Sequence, residues 1–259
     1  MWAPAMTKPV LLIRADGNQD DAQALADLGI ETVIDPYIRI DRAPDAADAQ
    51  RLLAELALPG SKWLIATSVN AIRCFAELVG ADVLRKAIAS SVDLNFAAVG
   101  ERTAQSLRDL GATEVLTPAL PDSAALAEML ANIGAAGQVS QTAIIPSGLL
   151  AMKTLPNKLE AAGWKLIQGV VYTTVTVDGE PETAAAARAG DFSAVIFRSP
   201  SAARAFLSFV PEPKMPLVAA GFTTAKVIED AGLTVASIPS NPTPKSVAAA
   251  VSELLKGDR

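Results

Sequence analysis

The chain contains no histidine and a single cysteine among its 259 residues. Without histidine it has neither the commonest general base nor the commonest metal ligand, and every Ser-His or Cys-His nucleophile is excluded. The lone Cys74 can form neither an internal disulfide nor a thiolate metal cluster. Aromatic residues make up only 5%, and just two are tyrosines, Tyr37 and Tyr172. No apolar run approaches the roughly 20 residues of a membrane-spanning helix. A basic segment followed by an apolar core and cleavage site is also missing, so no export signal is read. Residues 1–6 read as a loose leader with Met6 as an alternative start, and the chain is expected in the cytoplasm. Neither G-x-G-x-x-G after the first strand nor G-x-x-x-x-G-K-[ST] anywhere is found, which argues against a dinucleotide enzyme or an NTPase. Twenty-two basic and 28 acidic residues give a net charge of −6, with no basic run, so nucleic acid is disfavoured as a partner.

What remains is a globular chain, 51% hydrophobic and 19% charged, long enough for two domains that each bury a core. Its most informative feature is an internal repeat. Trp63-Leu-Ile-Ala-Thr-Ser68-Val-Asn70-Ala-Ile-Arg-Cys-Phe75 returns 131 positions later as Ala194-Val-Ile-Phe-Arg-Ser199-Pro-Ser201-Ala-Ala-Arg-Ala-Phe206. Ala98-Val-Gly100-Glu-Arg-Thr103-Ala104 returns 121 positions later as Ala219-Ala-Gly221-Phe-Thr-Thr224-Ala225. The second register runs ungapped for 33 positions with ten identities, keeping Pro118/Pro239 and Pro121/Pro242 in step. Each copy reads as apolar strand, small polar turn, helix. Cys74 falls opposite Ala205 on the same helix face, which marks it as a small buried packing residue.

Strands and helices alternate throughout. Strands are expected at 8–14, 62–67, 95–99, 114–116, 142–145, 193–197, 216–219 and 234–238. Helices are expected at 19–28, 45–56, 69–78, 102–110, 123–133, 152–161, 200–209, 223–231 and 244–255. The pattern predicts two doubly wound α/β domains with parallel sheets. Two longer extended runs, 31–40 and 164–177, each carry one tyrosine. The repeat alone suggests a domain boundary near residue 135; the two runs instead fit two antiparallel crossings between a discontinuous domain of 1–36 and 176–259 and an inserted domain of 41–166, with linker strands 37–40 and 167–175. The tyrosines there either face a cleft or fill a gap as edge aromatics.

In a doubly wound sheet, ligands sit beyond the carboxyl ends of the strands, where the repeated turns fall. Ser68 and Ser199 stand at N-cap positions, with Pro200 at a first helical position. Gly100 and Gly221 open tight turns, and Thr103 and Thr224 lie in the first turns of their helices. Helix starts present free N–H groups and partial positive charge, a ready anion site. The plainer reading is that each Ser or Thr only caps its helix. Ile145-Pro146-Ser147-Gly148 reads as another strand-end turn. Arg14, after the first strand, is the best single cation for a cleft, or it pairs with Asp16, Asp20 or Asp21.

The ordered set of Arg14, Leu28-Gly29, Thr67-Ser68-Val69-Asn70-Ala71, Val99-Gly100-x-x-Thr103-Ala104, Val171-Tyr172-Thr173, Phe197-x-Ser199-Pro200-Ser201-Ala202 and Gly221-x-Thr223-Thr224-Ala225 resembles the uroporphyrinogen-III synthase family. The resemblance spans nearly the whole chain. It implies two α/β domains joined by a two-stranded ladder, and cyclisation of hydroxymethylbilane, a linear octacarboxylate tetrapyrrole, with inversion of ring D. The terminal hydroxyl leaves to give an azafulvene. Ring D attacks through its substituted position, and the spiro intermediate fragments and recloses. No cofactor and no metal are implied.

The same resemblance makes Tyr172 the group that assists departure of the hydroxyl. A free phenol, with a pKa of about 10, is protonated at neutral pH and can donate. Arg14, Ser68, Asn70, Thr103, Ser147, Gly148, Ser199, Ser201, Thr223 and Thr224 are implied to hold substrate carboxylates. The chain departs from the family's pattern at Ile13, Ala15 and Arg198; Arg198 either adds a carboxylate contact or points into solvent. A monomer is expected, with room for a transient contact with the upstream bilane-forming enzyme. The alternative function is a non-catalytic two-lobed anion or tetrapyrrole receptor that kept the fold.

Overall fold

A computed structural model describes residues 8–136 and 141–257. The leader expected over residues 1–6 lies outside the described residues. The chain runs β1 (Val10–Leu12), α1 (Asn18–Ala26), β2 (Thr32–Ile34), β3 (Ile38–Arg42), α2 (Ala47–Ala57), β4 (Lys62–Ala66), α3 (Val69–Val79), α4 (Ala81–Ser90), β5 (Leu94–Ala98), α5 (Glu101–Arg108) and β6 (Val115–Leu116). It continues through α6 (Ser123–Ala136), β7 (Thr142–Gly148), α7 (Thr154–Ala161), β8 (Lys165–Thr176), α8 (Ala184–Ala189), β9 (Ala194–Phe197), α9 (Pro200–Phe209), β10 (Leu217–Ala219), α10 (Phe222–Asp230) and α11 (Pro244–Gly257). It divides into unit 1, Met1–Arg39 with Val175–Arg259, and unit 2, Ile40–Thr174.

Unit 1 holds a sheet of order β10-β9-β1-β2, with every neighbouring pair parallel. Unit 2 is built on the order β3-β8-β7-β4-β5-β6, parallel from β8 to β6. Side chains alternate across each strand, and in the central strands both faces are buried. Leu64 and Ala66 of β4 join one apolar cluster with Phe75 and Phe96, while Trp63 and Ile65 join another with Leu126 and Ile145. In unit 1, Leu11 packs with Val195 and Phe197, whereas Val10 and Leu12 pack with Ala194, Ile196 and Val218. Two apolar faces per sheet require helices on both, which is the doubly wound arrangement.

The linking strands follow from hydrogen bonding. β3 neighbours β8, and Ala43 N–H donates to Val171 O while Val177 N–H donates to Tyr37 O, each at 3.0–3.1 Å. Residue numbers fall along β8 as they rise along β3, so the pair is antiparallel.

Several elements depart from expectation. The extended run at 31–40 breaks into β2 and β3 because Pro36 has no N–H to give a ladder. Asp35 at that break instead accepts hydrogen bonds from the N–H and hydroxyl of Thr183, both at 2.8 Å. The helix α4 is an addition to the sequence pattern; Gly80, at φ 91°, turns the chain out of α3 and restarts it. The short α8 is likewise an addition. The strand expected at 234–238 reduces to one bridge, Val218 with Ser237. Among the described residues no helix is long and apolar enough to cross a membrane.

Candidate functional site

Strand order locates the turns where ligands gather. In unit 1, β1 leads outward to β2 on one side and β9 to β10 on the other, so the winding reverses between β1 and β9. In unit 2 it reverses between β4 and β7. Such reversals leave a crevice beyond the carboxyl ends of the two central strands. Arg14 and Ser199 follow β1 and β9, and Ser68 and Gly148 stand at the ends of β4 and β7.

The repeat is reproduced in backbone angles. Ser68 (φ −157°, ψ 152°) and Ser199 (φ −156°, ψ 155°) both cap their helices, accepting from Ala71 N–H at 3.1 Å and Ala202 N–H at 3.3 Å. Gly100 (φ −176°, ψ 174°) and Gly221 (φ −174°, ψ 167°) precede α5 and α10 with no side-chain cap. Thr103 and Thr224, third in their helices, are both buried, while Thr223 is exposed. With glycine as N-cap, no side chain occupies the N–H groups at these two helix starts.

In unit 2 the structure brings Ser68, Gly148 and Tyr172 together. The Tyr172 and Ser68 hydroxyls lie 3.3 Å apart, and Gly148 is the register partner of Tyr172. Gly148 makes room for the ring: a Cβ there would sit 2.6 Å from Tyr172 Cζ and 2.8 Å from Cε2. Asp48 pins the same strand, accepting from Val170 N–H at 2.7 Å. Hydrogen bonds from Arg51 and from Val170 N–H hold its carboxyl below the usual carboxylate range.

Other expected residues have different surroundings. Ser147 lies inside β7, not in a turn, because the long β8 keeps pairing as far as Gly148. Its hydroxyl is buried, donating to Gly169 O and accepting from Gln168 Nε2, each at 3.2 Å. Asn70 Oδ1 accepts from Arg73 at 3.3 Å, and the hydroxyls of Ser201 and Ser199 are 3.0 Å apart. The carbonyl of Arg14 accepts from Asn18 at 2.8 Å. Tyr37 is fully buried against Phe206 and Phe209 with its hydroxyl 3.0 Å from that of Thr183, so it fills the core of unit 1. Burial pushes its phenol pKa up. Cys74 is fully buried in the apolar core.

Arg198 takes neither expected role. Its Nε and Nη2 donate to the two Asp21 oxygens at 2.9 and 2.6 Å, and Nη1 donates to Pro242 O at 2.6 Å. The side chains are 10% and 1% exposed. This buried fork ties the end of β9 to α1. Asp21, in the first turn of α1, is legible in the sequence only as one of several acids near Arg14. A cavity of about 610 Å³ in unit 2 lies along the β3–α2 loop, lined by Arg42, Arg73 and Glu77. Glu77 lies 3.4 Å from Arg73 and 3.7 Å from Arg42. Among the described residues no group of three or more acidic or cysteine side chains is placed to hold a metal.

Fold and turns together define a two-unit, doubly wound α/β protein whose helix-start turns recur in each unit. The family profile described as Uroporphyrinogen-III synthase HemD matches residues 19–249, and the chain belongs to that family. A curated uroporphyrinogen-III synthase from Chlorobaculum parvum (strain DSM 263 / NCIMB 8327) is 27% identical over 165 residues. That match covers 61% of this chain and 66% of the relative, just under two thirds of its length. The crystal structure of uroporphyrinogen-III synthetase from Helicobacter pylori 26695 superposes with a TM-score of 0.62 at 17% identity, covering 98% of this chain and 100% of that one. A mutant uroporphyrinogen III synthase from the extremely thermophilic bacterium Thermus thermophilus gives a TM-score of 0.58 at 16% identity, covering 96% and 99%. At these identities the likeness is one of fold.

Proposed function

We propose that this chain is a cofactor-free lyase that closes hydroxymethylbilane to uroporphyrinogen III with inversion of ring D. The observation that carries the reading is family membership across residues 19–249. The paired turns supply its physics. Eight substrate carboxylates need many donors, and helix-start N–H groups in both units offer them without a net positive chain. Arg14, Ser68, Asn70, Thr103, Ser199, Ser201, Thr223 and Thr224 are assigned to this task, chiefly through backbone N–H groups. Ser147 contributes through its place in β7, since its hydroxyl is already engaged.

Tyr172 is assigned the departing hydroxyl. Its phenol donates as the C–O bond breaks, so the group leaves as water; the pyrrole N–H proton passes to the phenolate, and the bilane becomes an azafulvene. That nitrogen regains a proton on attack, matched by the proton that ring D releases on final closure. The substrate is intrinsically reactive, and the protein's part is orientation, for which effective molarities can be very large. Product analysis is the direct test: the chain should convert hydroxymethylbilane to the type III isomer. Exclusive formation of the type I isomer, the spontaneous product, would leave a tetrapyrrole receptor instead.

Two further outcomes are expected. Gly148→Ala forces the Tyr172 ring aside, because a Cβ cannot sit 2.6 Å from Cζ. The rate constant kcat should fall about 10- to 100-fold, the scale of an ångström of misplacement, with KM little changed. Circular dichroism checks that the variant is folded, and an undiminished kcat would show that the ring's position is irrelevant. Carboxylate binding spread over many N–H groups predicts that Thr223→Ala or Ser201→Ala raises KM only about twofold to fivefold. Loss of activity in either would contradict distributed binding. We also propose a cytoplasmic monomer in transient contact with the enzyme supplying the bilane; sedimentation of the chain alone and mixed with that enzyme checks the monomer and the contact.

A further inference from the structure

We propose that Phe222 is a ring-stacking residue: one pyrrole of the bound tetrapyrrole lies on its face, while the start of α10 beside it holds carboxylates of the same ring. This rests on the tetrapyrrole reading above and adds a contact to it. Phe222 is 81% exposed, and among the described residues it is the one exposed aromatic side chain. Exposure forfeits the stabilisation that burying a phenyl ring normally brings. Single exposed apolar residues are ordinary on protein surfaces, so position must decide.

Phe222 is the first residue of α10, directly after Gly221 at the carboxyl end of β10. The turn beside it is open: a Cβ built at Gly221 meets nothing within 4 Å. The repeat supplies an internal control. In unit 2, a Cβ at Gly100 would meet Pro121 at 3.0 Å, so that turn is roofed. The position equivalent to Phe222 is Glu101, whose carboxylate accepts from Arg108 at 2.6 Å. Glu101 is held there in an ion pair along the surface of α5. The two copies have therefore diverged, one closed and acidic, the other open and aromatic.

The same sequence of small residue then exposed apolar residue occurs at other strand ends. Val69 follows Ser68 and is 37% exposed; Leu149 and Leu150 follow Gly148 and are 63% and 66% exposed. A linear tetrapyrrole alternates in the same way, with carboxylates projecting from flat apolar rings. Donors beside apolar surface match it, and Phe222 presents the largest flat face.

The experiment compares the wild-type chain, Phe222→Ala and Phe222→Trp, with uroporphyrin III as the binding probe followed by its fluorescence. Phe222→Ala should weaken binding about tenfold, the scale of one aromatic stacking contact, and Phe222→Trp should stay within about twofold of wild type. Salt separates ring from charge. Added NaCl screens the carboxylate contacts in all three proteins, yet the wild-type to alanine ratio should persist. In the bilane assay Phe222→Ala should also release more type I isomer. Melting curves should coincide, since the ring is exposed. Equal binding by wild type and Phe222→Ala, a ratio that collapses in salt, or no binding of the probe by the wild-type chain would each overturn the proposal. A wild-type chain that binds the probe with the expected ratio but forms no type III isomer would overturn the reaction alone.

Discussion

Tyr172→Phe is expected to lower kcat by roughly 10²- to 10³-fold while leaving the chain folded. Donation to a leaving group by a positioned side chain contributes on that scale. The substitution removes one oxygen from a half-buried ring whose hydroxyl has Ser68 at 3.3 Å. Ring packing against Gly148 and pairing of β8 are untouched, so the melting transition should move by no more than a few degrees. KM should change little, since the proposed role lies in bond breaking. A coupled assay with freshly made hydroxymethylbilane measures this directly, and a rate within about threefold of wild type would take Tyr172 out of the mechanism. Ser68→Ala provides a graded companion. Losing the hydroxyl beside the phenol should slow turnover by less than Tyr172→Phe, and combining the two should add little.

Asp21→Ala is expected to have the largest effect on stability. It would leave the Arg198 guanidinium buried without its counter-charge, which typically destabilises by about 3–5 kcal/mol. For a unit of this size that corresponds to roughly 10–20 °C in melting temperature. The loss should be confined to unit 1. With Trp2 replaced by Phe, the emission of Trp63 and Trp164, both in unit 2, should keep its wild-type transition while circular dichroism shows an early one. Asp21→Leu combined with Arg198→Met should recover most of the loss, because apolar replacement of a buried pair is often neutral or favourable. Wild-type melting in Asp21→Ala would mean that the fork contributes nothing.

These outcomes trace how far the sequence could be read. Helix caps depend on residues three apart, so Ser68 and Ser199 are visible as caps from local pattern alone. The doubly wound class is equally legible, because alternation of short strands and helices is local and repeated. The fate of Arg198 is not, since its partner Asp21 lies 177 positions away. Nor is the use of Gly148, which depends on strand register placing Tyr172 opposite it. Tyr37 and Tyr172 look alike in sequence, both on extended runs. Only packing separates them, one sealed beneath Phe206 and Phe209, the other beside a helix start. The strand expected over 31–40 fails at a single proline whose missing N–H ends one ladder before the next begins. Helix α4 escapes a local reading because Gly80 looks like an ending, while the chain turns there and starts again.

The interruption of unit 1 by unit 2 has a consequence for how the protein is made. β1 and β2 leave the ribosome first, but β9, the other neighbour of β1, begins at Ala194, long after Arg39. At ordinary elongation rates those 155 positions take on the order of 10–30 s to synthesise. During that interval unit 2 is complete in itself and can fold, whereas β1 waits with one edge bare and only α1 against its Val10 and Leu12 face. Nascent chains of this protein should therefore engage holding chaperones through residues 8–35, and release should follow the emergence of β9 and β10. Rotating the order of synthesis, by joining the present ends and opening the chain near Gly179, would deliver unit 1 in one continuous stretch and remove the wait.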